Sequence, residues 1–345
     1  MDHPTIRLRL AEPTATAATL LLCVTTRLPE AILGATGITN WALSLIVVVI
    51  AVNGALAVAR APFTFTRTAS LAAGVREEAK RLLAAATVGA LLTLPLYALL
   101  RATAAWWLLA WALFAAVTVL GQVAMPLLLR AQSGPIGAAP PTLAERVHAL
   151  GRRAGVDLSR GVAVAGAVLG AGCNAYVVGL GPTRRVVLER ALAAWPPALV
   201  DQVVAHEIGH WRLRHATRRL PLALLAQLGT FALAGWLLSR PPVLEAAGVA
   251  TAGDPASYPL LLLLTPALAL PARCLLAWRD RAQERSADEF ALSLLRDPDA
   301  FAAMLDRAAD EGGAPRALPQ WRRLTSSHPP IDERALACTR FASTA

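Results

Sequence analysis

Six long apolar segments constrain what this chain can fold into. Each contains close to the ~20 residues that a helix needs to cross the hydrocarbon core of a bilayer. Inside lipid the backbone must satisfy its own hydrogen bonds, so such segments are predicted to be transmembrane helices. They are Thr14–Leu33, Trp41–Ala59, Leu82–Leu100, Ala104–Leu129, Leu220–Leu238 and Tyr258–Trp278. The sequence therefore predicts a mainly α, polytopic helical membrane bundle with about six spans, of which the first is the weakest because it contains Arg27.

The charge distribution indicates a lipid partner and disfavours a nucleic-acid partner. The formal net charge is +10, and Lys80 is the only lysine among the basic residues. The arginines flank the apolar segments and do not form a patch interleaved with aromatic residues, as a nucleic-acid interface would require. With six spans, most of the basic connections fall on one side of the membrane. The positive-inside rule then predicts that both termini and the region between the fourth and fifth spans are cytoplasmic. The Arg- and Ala-rich composition is typical of a bacterial protein, so we expect a bacterial cell membrane.

The region between the fourth and fifth spans has the pattern of a water-facing α+β fold. Thr142 is predicted to be a helix N-cap, with Glu145 completing a capping box, and the helix is predicted to end between Gly151 and Gly155. The adjacent prolines Pro196 and Pro197 predict the start of another helix. Between these helices the sequence predicts strands in three runs, Gly161–Val168, Asn174–Val178 and Arg185–Leu188.

The strongest chemical signal is the motif His206-Glu207-Ile208-Gly209-His210, which lies in the second of these helices. Four residues rotate a helix by about 400°, so His206 and His210 project from nearly the same face. Two imidazoles placed in this way can bind one Zn²⁺, and Glu207 can reach a zinc-bound water as the general base. The alternative is a charged face of an ordinary helix, but only six histidines are present, and a chance motif is rare. His215 would lie about 140° from the ligand face of a continuous helix, so we interpret it as structural.

A catalytic zinc needs a third protein ligand and leaves its fourth position to water or substrate. The strongest downstream candidate is Glu284, in a segment with a helical pattern. Asp288 follows one turn later and is placed to accept a hydrogen bond from a ligand histidine and so hold its orientation. The alternative is an amphipathic helix with a solvated charged face, which the neighbours Arg285 and Glu289 would suit.

Four patches of this sequence, in this order and spacing, resemble the type I CAAX prenyl proteases, which are membrane zinc metallopeptidases of the M48 peptidase family. The bacterial HtpX proteases are more distant relatives. The resemblance covers roughly residues 100–340 and is carried by Asn174–Gly179 with the run to Leu188, Val204–Trp211, Glu284–Ala291, and Ser327–Pro330 through Arg334. It implies a cytoplasmic α+β domain of the gluzincin type, one Zn²⁺ per chain and zinc metalloendopeptidase activity of the EC 3.4.24 type. The implied substrate is a peptide or a membrane protein.

The resemblance also implies roles for individual positions. Glu207 would be the general base, and Asp288 would support a ligand. The zinc ligands would be His206, His210 and Glu284. The four segments implied are an N-terminal membrane region with four spans (1–130), a catalytic region with strands and the motif helix (131–219), a transmembrane hairpin (220–278) and a C-terminal catalytic region with the third ligand (279–345).

Further roles follow from the same resemblance. His328 and Arg334 resemble residues that lie near the zinc and stabilise the tetrahedral intermediate. The alternatives are that His328 shapes the turn before two prolines and that Arg334 is a surface or ion-pair residue. The strand at Asn174–Val178 resembles an edge strand that aligns an extended substrate, which makes Asn174, Ala175 and Tyr176 candidates for substrate binding.

The function that we predict is a membrane-integrated, CAAX prenyl protease-like zinc metalloendopeptidase. One alternative is a quality-control protease of the HtpX kind, which degrades damaged membrane proteins. The four predicted spans before the motif helix favour the prenyl protease-like branch, although Pro62–Lys80 lacks the aromatic-rich motif of the eukaryotic prenyl proteases. Another alternative is a membrane sensor whose zinc domain relays a signal. A further one is a non-catalytic membrane metalloprotein, which the intact Glu207 disfavours. The sequence leaves the substrate and the oligomeric state open.

Overall fold

Helices dominate the structure, a computed structural model that describes residues 3–65, 70–133, 137–158, 162–165, 175–178, 185–311 and 314–344. The helices up to the first strand are α1 (His3–Thr25), α2 (Leu28–Thr36), α3 (Trp41–Phe65), α4 (Leu71–Ala102) and α5 (Trp106–Ser133). Those that follow are α6 (Pro141–Arg153), α7 (Arg190–Ala193), α8 (Pro197–Arg212), α9 (His215–Leu238), α10 (Pro241–Ala246), α11 (Tyr258–Leu295), α12 (Pro298–Asp310), α13 (Gln320–Arg323) and α14 (Ile331–Thr344). The fold is a helical membrane bundle with an α+β region, as the sequence predicts.

The described residues contain fewer candidate membrane spans than the predicted six. Within the described residues, four helical stretches are long and apolar enough: Trp41–Phe63, Trp106–Ala124, His215–Leu238 and Pro255–Leu295. The first predicted span is divided into two helices that meet at 55°, and it gives a fifth span if the pair is counted as one. The break falls at Arg27, which adopts a left-handed φ of 51°.

The predicted third span, Leu82–Leu100, lies within the 32-residue helix α4 and contains no charged residue. The charged side chains in the first half of α4 precede it, and among the described residues Leu91–Ala102 is an apolar helical stretch. By length and composition, the described residues therefore support four or five spans.

The chain divides into two compact units, and the first consists of Met1–Leu113 and Gln227–Leu270. Its core includes Leu45, Val48 and Val52 of α3, packed against α4. Hydrogen bonds tie its helices together: the hydroxyls of Tyr97 and Ser257 lie 2.8 Å apart, and Asn53 Nδ2 donates to Tyr258 Oη at 3.1 Å. Such side-chain hydrogen bonds satisfy buried polar groups within an apolar bundle.

The second unit consists of Phe114–Ala226 and Pro271–Ala345 and contains a four-stranded sheet. Its strands are β1 (Gly137–Ala138), β2 (Val162–Ala165), β3 (Ala175–Val178) and β4 (Arg185–Glu189), in the order β1-β2-β4-β3. β2 pairs with β4 in parallel and β3 pairs with β4 antiparallel, so β3 is at the edge of the sheet formed by the described strands. β2 and β3 lie within the first two predicted runs, and β4 covers the third run and extends it to Glu189.

The predicted N-cap at Thr142 is wrong. α6 begins at Pro141, with Pro140 as its N-cap, and no side chain caps it. A proline at the first helical position supplies a helical φ, and the N–H that it lacks would have no partner within the helix, so the helix can start at Pro141. The end of α6 at Arg153 agrees with the predicted range.

Helix α8 is the central element of the second unit. It begins at Pro197 with Pro196 as N-cap, as predicted, and it packs against α6, α12 and β3. The side chains of Val200, Val204 and Ile208 are buried on its apolar face. A Cβ on Gly209 would lie 3.3 Å from Ala287 Cα, so this glycine allows α8 and α11 to approach closely.

Candidate metal centre

Three side chains from two helices converge in the second unit. His206 and His210 project from one face of α8, and Glu284 reaches them from α11. The two Nε2 atoms are 3.1 Å apart, and the Glu284 carboxylate oxygens lie 3.5 Å from His206 Nε2 and 3.3 Å from His210 Nε2. His206 and Glu284 are buried, and His210 is half-buried. The i, i+4 spacing and the close helix crossing at Gly209 together produce this convergence.

These donors fit a zinc ion. Ligands at ~2.0–2.1 Å in tetrahedral geometry are separated from one another by about 3.3 Å, which matches the distances between the three groups. Glu284 Oε2 is buried and has no hydrogen-bond partner of good geometry within the described residues, although His328 Nδ1 lies 2.9 Å from it. The local charge also favours a cation: burial disfavours protonation of His206, but Asp288 and Glu284 outweigh it and raise the pKa of His206 to about 10.

The outer nitrogen of His206 is supported by a charged pair. His206 Nδ1 lies 2.8 Å from Asp288 Oδ1, and both groups are buried. Asp288 also accepts two hydrogen bonds from Arg334 of α14, from Nε at 2.9 Å and from Nη2 at 2.7 Å. A carboxylate in this position fixes the ring so that Nε2 faces the metal. Arg334 thus contacts Asp288 and does not contact the three metal-ligand candidates directly.

The outer nitrogen of His210 is supported by residues that the sequence analysis missed. His210 Nδ1 lies 2.8 Å from His215 Nδ1, and His215 Nε2 lies 3.2 Å from Ser286 Oγ. His215 is only 6% exposed. The interpretation of His215 as structural assumed that α8 continues past it. Instead, α8 ends at Arg212 and Arg214 adopts a φ of 55°. This turn contains no glycine or proline, so the residue types gave no indication that the helix ends there.

A cleft beside the three donors contains the predicted general base. Its lining includes Glu207, His210, Glu284 and His328. An ion pair between Arg219 and Asp280, with nitrogen–oxygen distances of 2.7 and 3.1 Å, also lines it. The cleft gives a substrate access to the convergent donors and to Glu207 at the same time.

The loop that precedes α14 brings His328 to the cleft. Arg281 donates to the carbonyl oxygens of Arg323 at 2.5 Å and Ser326 at 2.7 Å and so holds this loop against α11. The carboxylate of Glu284, 2.9 Å from Nδ1, raises the pKa of His328 above its ordinary value. The side chain of His328 remains 68% exposed, which leaves it accessible from the cleft.

The predicted substrate strand is partly described. Ala175 and Tyr176 lie on edge strand β3, which packs against α8, whereas Asn174 lies outside the described residues. Tyr176 Oη donates to Glu189 Oε1 on β4 at 3.1 Å. An edge strand beside the motif helix is the geometry that pairing with an extended peptide requires.

Known proteins resemble this chain in sequence and in fold. The sequence model described as Peptidase family M48 matches residues 139–341, more than half of the chain. An uncharacterized metalloprotease, YhfN, of Bacillus subtilis (strain 168) is 30% identical over 165 residues, 47% of this chain and 39% of that protein. A CAAX prenyl protease 1 homolog of Oryza sativa subsp. japonica is 26% identical over 206 residues, 56% of this chain and 46% of that protein. The matches thus span less than half the length of these two relatives.

The fold has a counterpart among solved structures. The crystal structure of S. mikatae Ste24p superposes with a TM-score of 0.68 at 18% identity, covering 87% of this chain and 77% of that one. At this level of identity the match concerns the fold alone.

Proposed function

We propose that this chain, which belongs to peptidase family M48, is a multi-pass membrane metalloprotease and, more specifically, a zinc-dependent endopeptidase whose metal ligands are His206, His210 and Glu284. The observation that carries this proposal is the convergence of two imidazole nitrogens and a carboxylate within 4.8 Å of one another. Donors of this kind, with a cleft that leaves one side open, are typical of a catalytic zinc site.

The residues around the donors have chemistry suited to peptide hydrolysis. A bound zinc would lower the pKa of a coordinated water towards ~7 and polarise the scissile carbonyl. Glu207 lines the cleft and is proposed to accept a proton from the attacking water and to deliver it to the leaving amine. Asp288 would keep the His206 ring oriented throughout the reaction.

His328 and Arg334 are proposed to act on the negative charge that develops at the scissile carbonyl. His328 is exposed to the cleft and can donate a hydrogen bond there, a contribution worth about 3–4 kcal/mol at comparable sites. The contact of Arg334 with Asp288 supports an indirect contribution, in which its charge steadies the carboxylate that supports His206.

The substrate is proposed to be an extended segment of a peptide or a membrane protein that pairs with β3. Ala175 and Tyr176 would flank this segment, as would Asn174. The distribution of arginines supports a cytoplasmic site, and the four segments 1–130, 131–219, 220–278 and 279–345 remain the proposed organisation of the chain. The name of the rice relative makes a prenylated C-terminal peptide one substrate to test, beside an unmodified membrane protein.

Replacement of Glu207 by Gln tests the proposal. The amide keeps the size of the side chain but cannot take a proton, so we expect the Glu207→Gln variant to bind about as much zinc as the wild type and to lose at least ~100-fold in turnover. Metal analysis of the purified protein and cleavage of casein and of a prenylated peptide measure the two quantities. The control is Glu145→Gln on α6, which should leave both unchanged.

Full turnover in Glu207→Gln would rule out Glu207 as the general base. A wild-type protein that remains active after exhaustive chelation would contradict the metal mechanism itself. Comparison of membrane proteomes from cells that express the wild type and Glu207→Gln would reveal natural substrates, because uncut proteins accumulate with the variant.

A further inference from the structure

We propose that His215 is a positioning residue for the metal ligand His210, and that Ser286 completes the support. This inference rests on the proposed function, because it concerns how the chain holds one of the proposed zinc ligands. It assigns a role to two side chains that neither the HExxH motif nor Glu284 includes. The three side chains come from α8, from the first residue of α9 and from α11.

The distances allow a consistent set of donors and acceptors. When His210 binds a metal through Nε2, its proton is on Nδ1, and that N–H can donate to His215 Nδ1 over the observed 2.8 Å. His215 must then carry its own proton on Nε2, which can donate to Ser286 Oγ over 3.2 Å. The Ser286 hydroxyl donates to the carbonyl oxygen of Gln283 at 2.9 Å. The tautomers are assigned from this network, in which each ring nitrogen of the two histidines acts either as a donor, as an acceptor or as the metal ligand.

The local backbone is built to bring His215 to this position. On a continuous helix it would point well away from the ligand face. Instead α8 ends at Arg212 and α9 begins at His215. Between them the backbone of Arg214 is in the left-handed region, which residues other than glycine seldom occupy. The result is a buried imidazole whose ring centroid lies 4.9 Å from that of His210, at an angle of 79° between the rings.

Replacing His215 by Asn or by Gln provides a matched test, because each amide side chain can take the place of one nitrogen of the imidazole ring. In His215→Asn the Oδ1 atom can occupy the place of Nδ1 and accept from His210. In His215→Gln the amide reaches the place of Nε2 and can contact Ser286, but nothing accepts from His210. A purely structural role would tolerate both amides alike, whereas support of His210 requires the acceptor that only Asn provides.

The experiment measures zinc binding by the full chain in detergent, with a competing chelator and metal analysis. We expect His215→Gln to weaken zinc binding by about 10- to 100-fold, as is usual when the hydrogen-bond partner of a ligand histidine is lost. His215→Asn should retain most of the affinity, and the control His148→Gln on α6 should match the wild type. With Co²⁺ in place of Zn²⁺, the visible absorption bands should shift in His215→Gln and stay in place in His148→Gln.

Equal zinc affinity in His215→Asn and His215→Gln, whether both are weakened or both unchanged, would overturn the inference. A wild-type chain that holds no zinc would instead contradict the proposed function. The two failures are therefore distinguishable, and neither outcome depends on an activity assay.

Discussion

The two proposed ligand histidines are one helical turn apart, yet the chain supports them in different ways. His206 is backed by Asp288, which is itself bound by Arg334 in a buried pair. His210 is backed by the neutral groups of His215 and Ser286. A buried ion pair is costly to break, by about 3–5 kcal/mol, whereas a neutral hydrogen bond contributes about 0.5–1.5 kcal/mol. We infer that His206 is the more firmly fixed ligand and His210 the more adjustable one.

The largest expected effect is that of Asp288→Ala. This change leaves Arg334 buried without its partner and frees the His206 ring, so we expect a loss of about 3–5 kcal/mol in the free energy of unfolding together with weaker zinc binding. Denaturant unfolding and metal analysis measure the two effects.

The control for this change is Asp306→Ala, which removes an exposed partner of Arg316 and should leave the stability nearly unchanged, because exposed ion pairs are screened by solvent. Equal loss of stability in both variants would show that the Asp288–Arg334 pair does not hold His206 more firmly than an exposed ion pair would, and it would contradict the proposed difference between the two histidines.

A smaller effect is expected for Gly209→Ala, which acts on both histidines at once. The added methyl group would lie 3.1 Å from Phe290 Cδ1 and 3.3 Å from the backbone of Ala287, so α8 and α11 must separate slightly. We expect a loss of about 1–3 kcal/mol in stability and a lower zinc affinity, because Glu284 moves away with α11.

The matched control is Gly229→Ala on α9, where an added Cβ meets no atom within 4 Å. Thermal unfolding and chelator competition distinguish the two variants. Unchanged zinc affinity in Gly209→Ala would show that the close crossing does not set the distance between the ligands.

The smallest effect is expected for Ser286→Ala. Since a water can replace the hydroxyl, the change should cost about 0.5–1.5 kcal/mol or less in stability and should weaken zinc binding only a few-fold. Chelator competition again provides the measurement, with Ser293→Ala, an exposed serine further along α11, as the control. A loss as large as that of Asp288→Ala would reverse the ranking of the two supports.

The parts of the site that depend on regular helix geometry could be predicted from the sequence. The spacing of His206 and His210 fixes their common face, and the spacing of Glu284 and Asp288 fixes theirs. Resemblance to a family, and not spacing, drew attention to His328 and Arg334. The support of His210 was missed because it depends on a left-handed residue, Arg214, in a turn without glycine or proline.

The membrane region shows the same limit. Apolar runs predicted where helices lie, but α4 continues through charged residues into its apolar part, and the first span bends at Arg27. Likewise, Pro141 and not Thr142 opens α6 because a proline can start a helix without a cap. Helix boundaries and breaks depend on backbone conformations that hydrophobicity does not encode.

The order of the donors along the chain has a consequence for biosynthesis. A ribosome releases His206 and His210 first, and Glu284 follows only after the whole segment 220–278 has been made. At about 5–20 residues per second, the nascent chain spends seconds with two of its three donors, which hold a metal weakly. Under the proposed ligand assignment, a product that terminates before Glu284 lacks the third ligand and is expected to hold no catalytic metal.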